Sequence, residues 1–312
     1  FKQKTAYEML RSLVGSEMCI RDRFIGSDLG AGTLASMKEE MPDRFFMEGI
    51  SEQHIIGMSA GLAMEGFIPY VNSIAPFLTR RCYEQVLVDL CLHDLPVRLI
   101  GNGGGVVYAP LGPTHLAVED IAILRAIPNM TIVAPCDAEE MLRLMPKTVD
   151  WPHPIYIRLA KGGDKVVSQS DLGFEIGKAI LIRPPKDGLF VTTGVMTQKA
   201  LEASEQLSKV GIECGVLHMH TVKPLDHAAL EDLIPGVKAV VTVEEHFRIG
   251  GLGSAVLELC SDLIPEHTSK ITRIGIPDRF ADKYGTQESL LQHWDITIDS
   301  IKNAMLQKLK VS

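Results

Sequence analysis

Short apolar runs alternate with segments of helical apolar spacing through most of this chain, and this alternation limits the fold more than any other feature. The runs that predict strands in the first half lie at residues 24–26, 44–47, 68–72, 97–101, 130–134 and 155–159. The segments that predict helices between them lie at residues 52–64, 79–93, 118–126 and 137–150. Such alternation is typical of a mostly parallel sheet covered by helices. The sequence therefore predicts an α/β fold.

A polar, glycine-containing linker at residues 161–173 separates this block from a second alternation. Its predicted strands lie at residues 189–193, 212–217, 239–244 and 271–274, and its predicted helices at 196–209, 252–262 and 298–309. A chain of 312 residues is long enough for about two domains. We predict two α/β domains, each a mostly parallel sheet covered by helices, at residues 24–165 and 166–312.

The first 23 residues resemble the translation of a sequencing-library adapter rather than part of a folded domain. We predict that residues 1–23 are not native and that the native protein begins before Phe24 with residues outside this sequence. The alternative is a genuine amphipathic helix, since one helical face would carry Ala6, Met9, Leu10, Leu13 and Val14.

Charge and cysteine usage exclude several classes of protein. The formal net charge is −8, and no long basic run is present to neutralise phosphates, so nucleic acid is not an expected partner. The longest stretch without a charged side chain, residues 99–118, contains five glycines and two prolines, which argues against a membrane span. The six cysteines form no CxxC pair, which argues against a disulfide framework and a structural zinc site. We expect a reducing, cytoplasmic location and no metal ligands in this chain.

Seven segments, in order along the chain, carry a resemblance to a known family. They are EGISEQHIIGMSAGLAMEG (48–66), FLTRRCYEQV (77–86), LGPTHLAVEDIAILRAIPNM (111–130), YIRL (156–159), MHTVKPLD (219–226), VEEHFRIGGLGSA (243–255) and GIPDRF (275–280). They resemble the pyrimidine-binding and C-terminal domains of transketolases and 1-deoxyxylulose-5-phosphate synthases. The resemblance covers residues 24–312 and is greatest to the short, C-terminal subunit of a transketolase divided between two chains.

The resemblance implies that Glu52 is the catalytic glutamate that binds thiamine diphosphate. In the family this acid engages N1′ of the aminopyrimidine, which then removes the proton from the thiazolium C2. The apolar neighbours Ile55, Ile56 and Met58 are compatible with a dry site. The alternative is structural: Ser51 caps a helix, and Glu52 is an acidic residue of its first turn.

Three further residues match cofactor or substrate positions of the family. Phe77 matches the aromatic ring that stacks on the aminopyrimidine, and Asp28 matches an aspartate beside the cofactor. His115 matches a histidine that faces the substrate and exchanges protons with a sugar hydroxyl. The structural alternatives are a core phenylalanine, a helix N-cap and a hydrogen-bonding histidine, respectively.

Two arginines are candidate anion ligands. Arg158 corresponds to a family arginine that holds a substrate phosphate, a role for which the planar guanidinium is suited. Its alternative role is a plain salt bridge. Arg80 matches an arginine of the synthase branch and is a secondary candidate for substrate binding.

Two family features are missing from the sequence. The Gly-Asp-Gly motif with its later Asn, through which the family holds magnesium and the diphosphate, does not occur. We therefore expect a separate diphosphate-binding subunit that carries the magnesium, and an α2β2 assembly. The histidine and aspartate with which many transketolases contact the sugar align with Gly103 and Leu111. The sugar is therefore expected to differ from the usual one.

Together these observations predict a subunit of a thiamine-diphosphate-dependent transketolase that transfers a two-carbon ketol unit from an anionic ketose to an aldose. One alternative is a 1-deoxyxylulose-5-phosphate-synthase-like subunit or a β-type subunit of a 2-oxo acid dehydrogenase. A second alternative is a non-catalytic partner that only completes the structure of a thiamine enzyme.

Overall fold

Two sheets, both mostly parallel, organise the chain, which is represented by a computed structural model that describes residues 21–27 and 34–311. The strands of the first sheet are β1 (Asp22–Gly26), β2 (Phe45–Met47), β3 (Ile68–Ile74), β4 (Arg98–Asn102), β5 (Thr131–Val133), β6 (Ile155–Leu159) and β10 (Thr221–Lys223). The strands of the second sheet are β7 (Ile180–Arg183), β8 (Gly188–Thr192), β9 (Cys214–His218), β11 (Ala239–Phe247) and β12 (Ile271–Ile276).

The strand order is β10-β5-β6-β4-β3-β1-β2 in the first sheet and β12-β11-β8-β9-β7 in the second. One edge strand of each sheet is antiparallel to its neighbour: β10 to β5 in the first sheet and β7 to β9 in the second. All other pairings are parallel. The predicted fold class, two mostly parallel sheets in an α/β protein, is confirmed.

Helices cover the faces of both sheets. They are α1 (Ala35–Glu40), α2 (Glu52–Met64), α3 (Ala75–Leu78), α4 (Tyr83–Gln85, continued by a π-helical segment at Val86–Cys91), α5 (Asp120–Arg125), α6 (Ala138–Val149), α7 (Met196–Ser208), α8 (His227–Leu233), α9 (Leu252–Leu263), α10 (Gln287–His293) and α11 (Ile298–Val311). Short 3₁₀ turns lie at Pro42–Arg44, Ala109–Leu111, Ser170–Leu172 and Pro265–Lys270. In the part of the chain that is described, no helix has both the length and the apolarity needed to cross a bilayer.

The predicted elements agree with the structure where the local pattern is strong. Helix 52–64 and strand 155–159 have the predicted bounds. The helix predicted at 79–93 is shorter, because α3 ends before Thr79 and α4 begins at Tyr83. The first strand begins at Asp22 rather than Phe24. The origin of residues 1–23 stays a prediction.

The two units share a boundary that the sequence did not predict. Strand β10 lies in the second half of the sequence but pairs with β5 of the first sheet. Conversely, Val106, Leu116 and Val118, from the segment after β4 of the first sheet, pack in the core that surrounds Phe190 of the second sheet. Burial of these apolar side chains stabilises the contact between the units.

Candidate active site

The carboxyl ends of β1, β3 and β4 meet at one edge of the first sheet, the place where ligands bind in open α/β sheets. Polar side chains connect these ends. The hydroxyls of Ser27 and Ser73 lie 2.9 Å apart, and the Asn102 side chain donates to the Ser73 carbonyl at 3.0 Å. Ser73 in turn lies 3.5 Å from Oε1 of Glu52. The edge therefore holds a hydrogen-bonded row that ends at the predicted catalytic acid.

Glu52 is the first residue of α2, and its side chain faces inward. The buried residues of this helix follow helical spacing and include Glu52, Ile55, Ile56, Ser59, Ala60 and Ala63. Glu52 thus begins the buried stripe and is only 3% exposed. Ser51 precedes the helix, but its hydroxyl donates to the Glu48 carbonyl and caps nothing. Burial of a carboxylate costs free energy, so a mere helix-end role explains Glu52 poorly.

Glu52 and Phe77 hold one planar group between them. Nη1 of Arg81 lies 2.7 Å from Oε2 of Glu52, and the Arg81 guanidinium carbon lies 3.9 Å from the centre of the Phe77 ring. The Arg81 side chain is 42% exposed. A flat, nitrogen-bearing group at this position can therefore stack on Phe77 and bond Glu52 at once. These residues fit an aminopyrimidine, which is also flat and nitrogen-bearing.

His115 also contacts the Phe77 ring. The two rings meet edge to face, with their centres 5.3 Å apart. Nδ1 of His115 is 2.9 Å from the Thr114 hydroxyl, which orients the imidazole. The structure thus brings Glu52, Phe77 and His115 together from three separate segments.

Arg80 lies beside this group but is bound to the loop that carries His115. Its Nη1 contacts Oε1 of Glu119 at 2.6 Å, and its Nη2 donates to the carbonyls of Pro113 and Thr114. About a third of the side chain is exposed. Arg80 therefore positions the His115 loop, and its substrate role stays a prediction.

Arg158 is buried in a network between the two units. Its Nε donates to Oδ2 of Asp120 at 2.7 Å, and its Nη2 donates to the carbonyls of Ala117 and Glu245 at 2.8 and 2.9 Å. Burial alone lowers the pKa of Arg158, but Asp120 raises it above its usual value. The Tyr156 hydroxyl donates to the same Asp120 oxygen. These contacts favour the salt-bridge alternative over the substrate role, which remains an untested prediction.

The two positions where family members contact the sugar differ in their surroundings. Gly103 has a φ of +75°, and a Cβ added there would overlap Cε2 of the Tyr108 ring. The Tyr108 ring therefore occupies the space next to Gly103, and no side chain fits there unless it moves. Leu111 ends a 3₁₀ turn and is 50% exposed. Asp28 lies outside the described residues.

Sequence reasoning missed Arg81 and Tyr108. The adjacent pair Arg80 and Arg81 is visible in the sequence, but only the fold shows that Arg81 is the member that reaches Glu52. The signal for Tyr108 was the run of glycines at 103–105, which permits close approach of a large ring.

Comparison with known proteins identifies the two units. Residues 8–163 match the transketolase pyrimidine-binding domain, and residues 177–301 match the transketolase C-terminal domain. The first match contains six of the seven strands of the first sheet, and the second match contains the strands of the second sheet together with β10.

Three similar proteins span nearly the same length. An apulose-4-phosphate transketolase subunit of Phocaeicola vulgatus is 36% identical over 90% of this chain and 89% of its own length. The 6-deoxy-6-sulfo-D-fructose transketolase subunit of a Clostridium species is 34% identical over 91% of this chain and 88% of its own length. A solved structure described as a split gene transketolase, inactive β4 tetramer, is 33% identical, covers 97% of this chain and 96% of that chain, and has a TM-score of 0.88. This chain belongs to the transketolase family.

Proposed function

We propose that this chain is the C-terminal subunit of a thiamine-diphosphate-dependent transketolase. It would transfer a two-carbon ketol unit from an anionic ketose to an aldose, together with a separate subunit. The observation that carries the proposal is the planar group held between Glu52 and Phe77, a role filled in this structure by the Arg81 guanidinium. Members of the family depend on thiamine diphosphate.

Each residue of the site has a distinct role in this proposal. When bound, thiamine diphosphate would supply nucleophilic carbon chemistry at its thiazolium C2. Glu52 exchanges a proton with N1′ of the aminopyrimidine from a buried, water-poor position. Phe77 fixes the plane of that ring by stacking, and His115 exchanges a proton with a substrate hydroxyl. The Arg81 side chain turns outward and leaves the position between Glu52 and Phe77 to the aminopyrimidine. Its partial exposure allows this movement.

The diphosphate and magnesium are assigned to a partner subunit. Magnesium prefers hard oxygen ligands shared with phosphates, and this sequence lacks the family motif that provides them. The similar β4 tetramer is described as inactive, which supports a need for a second kind of subunit. We propose an α2β2 assembly in which each active site is shared between chains.

The donor is proposed to be an anionic ketose other than the common pentose phosphates. Gly103 and Leu111 provide no polar group where many relatives contact the sugar, and Tyr108 fills the space beside Gly103. A site discriminates between hydroxyl patterns chiefly through the buried polar groups that it must satisfy. The names of two similar proteins specify a ketose phosphate and a sulfonated deoxyketose, which supports this substrate class.

A panel of donors tests this proposal in the reconstituted complex. We expect kcat/KM for xylulose 5-phosphate to be roughly tenfold to hundredfold below that for the best branched, deoxygenated or sulfonated anionic ketose. Leu111→Asp, which restores an acidic group on an exposed turn, should narrow this gap. Leu263→Asp changes an equally exposed leucine (49%) far along the chain and serves as its control.

Two outcomes would contradict the proposal. Equal or preferred use of xylulose 5-phosphate would show that the partner subunit replaces the two missing side chains. Decarboxylation of pyruvate, without ketol transfer from any ketose, would instead favour the synthase-like or dehydrogenase-like alternative.

A further inference from the structure

Three potential metal ligands meet at the boundary between the two units, away from the site described above. Cys136 follows β5, Glu140 lies in the first turn of α6, and His218 ends β9. A sulfur, a carboxylate oxygen and a ring nitrogen from these residues all lie within 4.8 Å of one another. All three residues are 0% exposed. The cluster thus joins the first sheet to the second in a fully buried position.

One buried hydrogen-bonding atom in this cluster has no partner within the described residues. Oε2 of Glu140 accepts from the Cys136 amide at 2.6 Å and lies 2.8 Å from Nε2 of His218. Within the described residues, Oε1 of Glu140 has no hydrogen-bond partner, and neither has Nε2 of the adjacent His220. Buried polar atoms without partners are rare in native proteins, and a binding site for an ion is one of their ordinary causes. The unpartnered Glu140 oxygen within the cluster therefore points to a cation ligand.

Thr197 holds the His218 ring in position. Nδ1 of His218 lies 2.9 Å from the Thr197 hydroxyl, which also contacts the Thr192 hydroxyl at 2.9 Å. If Nδ1 donates to Thr197, the lone pair of Nε2 faces Oε2 of Glu140. Two facing acceptors at this distance repel each other unless a cation or a proton lies between them. This arrangement matches the hydrogen bond to the second nitrogen that orients metal-binding histidines.

We propose that Cys136, Glu140 and His218 bind a zinc ion that links the two units. Thiolate, imidazole and carboxylate together are typical zinc ligands, whereas magnesium prefers oxygen alone. Zinc–ligand distances of about 2.0–2.3 Å place ligand atoms roughly 3.3–3.8 Å apart, so small side-chain movements complete the site. The thiolate and carboxylate charges balance those of Zn²⁺, as a buried position requires.

The surroundings of Cys136 support this assignment. Cys136 is fully buried and its amide is bonded to the Glu140 carboxylate, so a thiolate at this position requires a compensating cation. On binding, the thiol proton passes to solvent. A surface cavity of about 30 Å³ borders Cys136, Asp137 and Asp164, large enough for an ordered water beside Cys136. The sequence analysis expected no metal ligands because it considered only residues with short spacing along the chain. Cys136, Glu140 and His218 meet only in the folded structure.

Metal analysis of the full chain tests the proposal without any activity assay. We expect one zinc ion per chain after dialysis against metal-free buffer. Replacement by Co²⁺ should give the visible bands of tetrahedral cobalt and a near-ultraviolet thiolate-to-cobalt band. Cys136→Ser and His218→Gln should each weaken zinc binding at least tenfold and abolish the zinc-dependent rise in Tm. Cys260→Ser alters another buried cysteine, outside the cluster, and should bind zinc like the parent.

The spectrum of the unaltered chain keeps the test decisive if a variant fails to fold. A cobalt spectrum without a thiolate band would overturn the proposal. So would zinc binding that persists unchanged in Cys136→Ser and His218→Gln. In either case a shared proton, rather than a metal, joins His218 to Glu140.

Discussion

Glu52→Gln is expected to slow proton exchange at the thiazolium C2 of bound thiamine diphosphate by roughly 10²–10⁴-fold in the assembled enzyme, the usual contribution of a positioned acid or base. Glutamine keeps the size and the hydrogen-bonding capacity of residue 52 but cannot exchange a proton with N1′. The buried position of Glu52 beside Phe77 makes this acid difficult for solvent to replace. The rate at which deuterium replaces the C2 proton, measured by quenched flow and NMR, tests this prediction.

Glu48→Gln is the matched control, because Glu48 is an exposed acid four residues earlier in the same segment. It should leave the exchange rate within about twofold of the parent, since an exposed acid with no contact to the ring contributes no positioned proton transfer. Unaltered exchange in Glu52→Gln, with cofactor still bound, would reassign Glu52 to the start of α2.

Arg158→Ala should lower the free energy of unfolding by about 3–5 kcal/mol, the usual cost of removing one partner of a buried ion pair. The substitution leaves the Asp120 carboxylate buried without its cation and deprives two carbonyls of their donor. Urea denaturation of the purified chain measures the loss.

Arg80→Ala provides the comparison, because its ion pair with Glu119 is partly exposed. Such pairs contribute about 0–1 kcal/mol, so its unfolding curve should lie close to the parent's. The substrate role predicts a different result for Arg158→Ala: unchanged stability with a raised KM for an anionic donor. That result would restore Arg158 as the anion ligand.

The sequence predicted the parts of the fold that local pattern determines. The apolar spacing from residue 52 to 64 and the run at 155–159 each specify one element without help from distant residues. Strand β10 has only three residues and pairs antiparallel with β5 of the other unit. The three residues Thr221–Lys223 carry no information about their pairing with β5, so this pairing could not be predicted from the local sequence.

The site shows the same division between local and distant information. Glu52, Phe77 and His115 were predicted from their motifs, and the fold brings their side chains together. For Arg158 the deciding residue is Asp120, which lies 38 positions away. A motif shows an arginine but not the carboxylate that neutralises it. The sequence therefore predicted a salt bridge as an alternative role for Arg158 but could not identify Asp120 as its partner.

The most direct test of the shared thiamine site is a calorimetric titration with thiamine diphosphate and magnesium. It compares this chain alone with this chain mixed with a subunit that carries Gly-Asp-Gly. Because the magnesium and diphosphate ligands are assigned to the partner, the chain alone should show no binding at micromolar cofactor. The mixture should bind the cofactor and acquire ketol transferase activity. Micromolar binding or turnover by this chain without a partner would contradict the division of the site between two subunits.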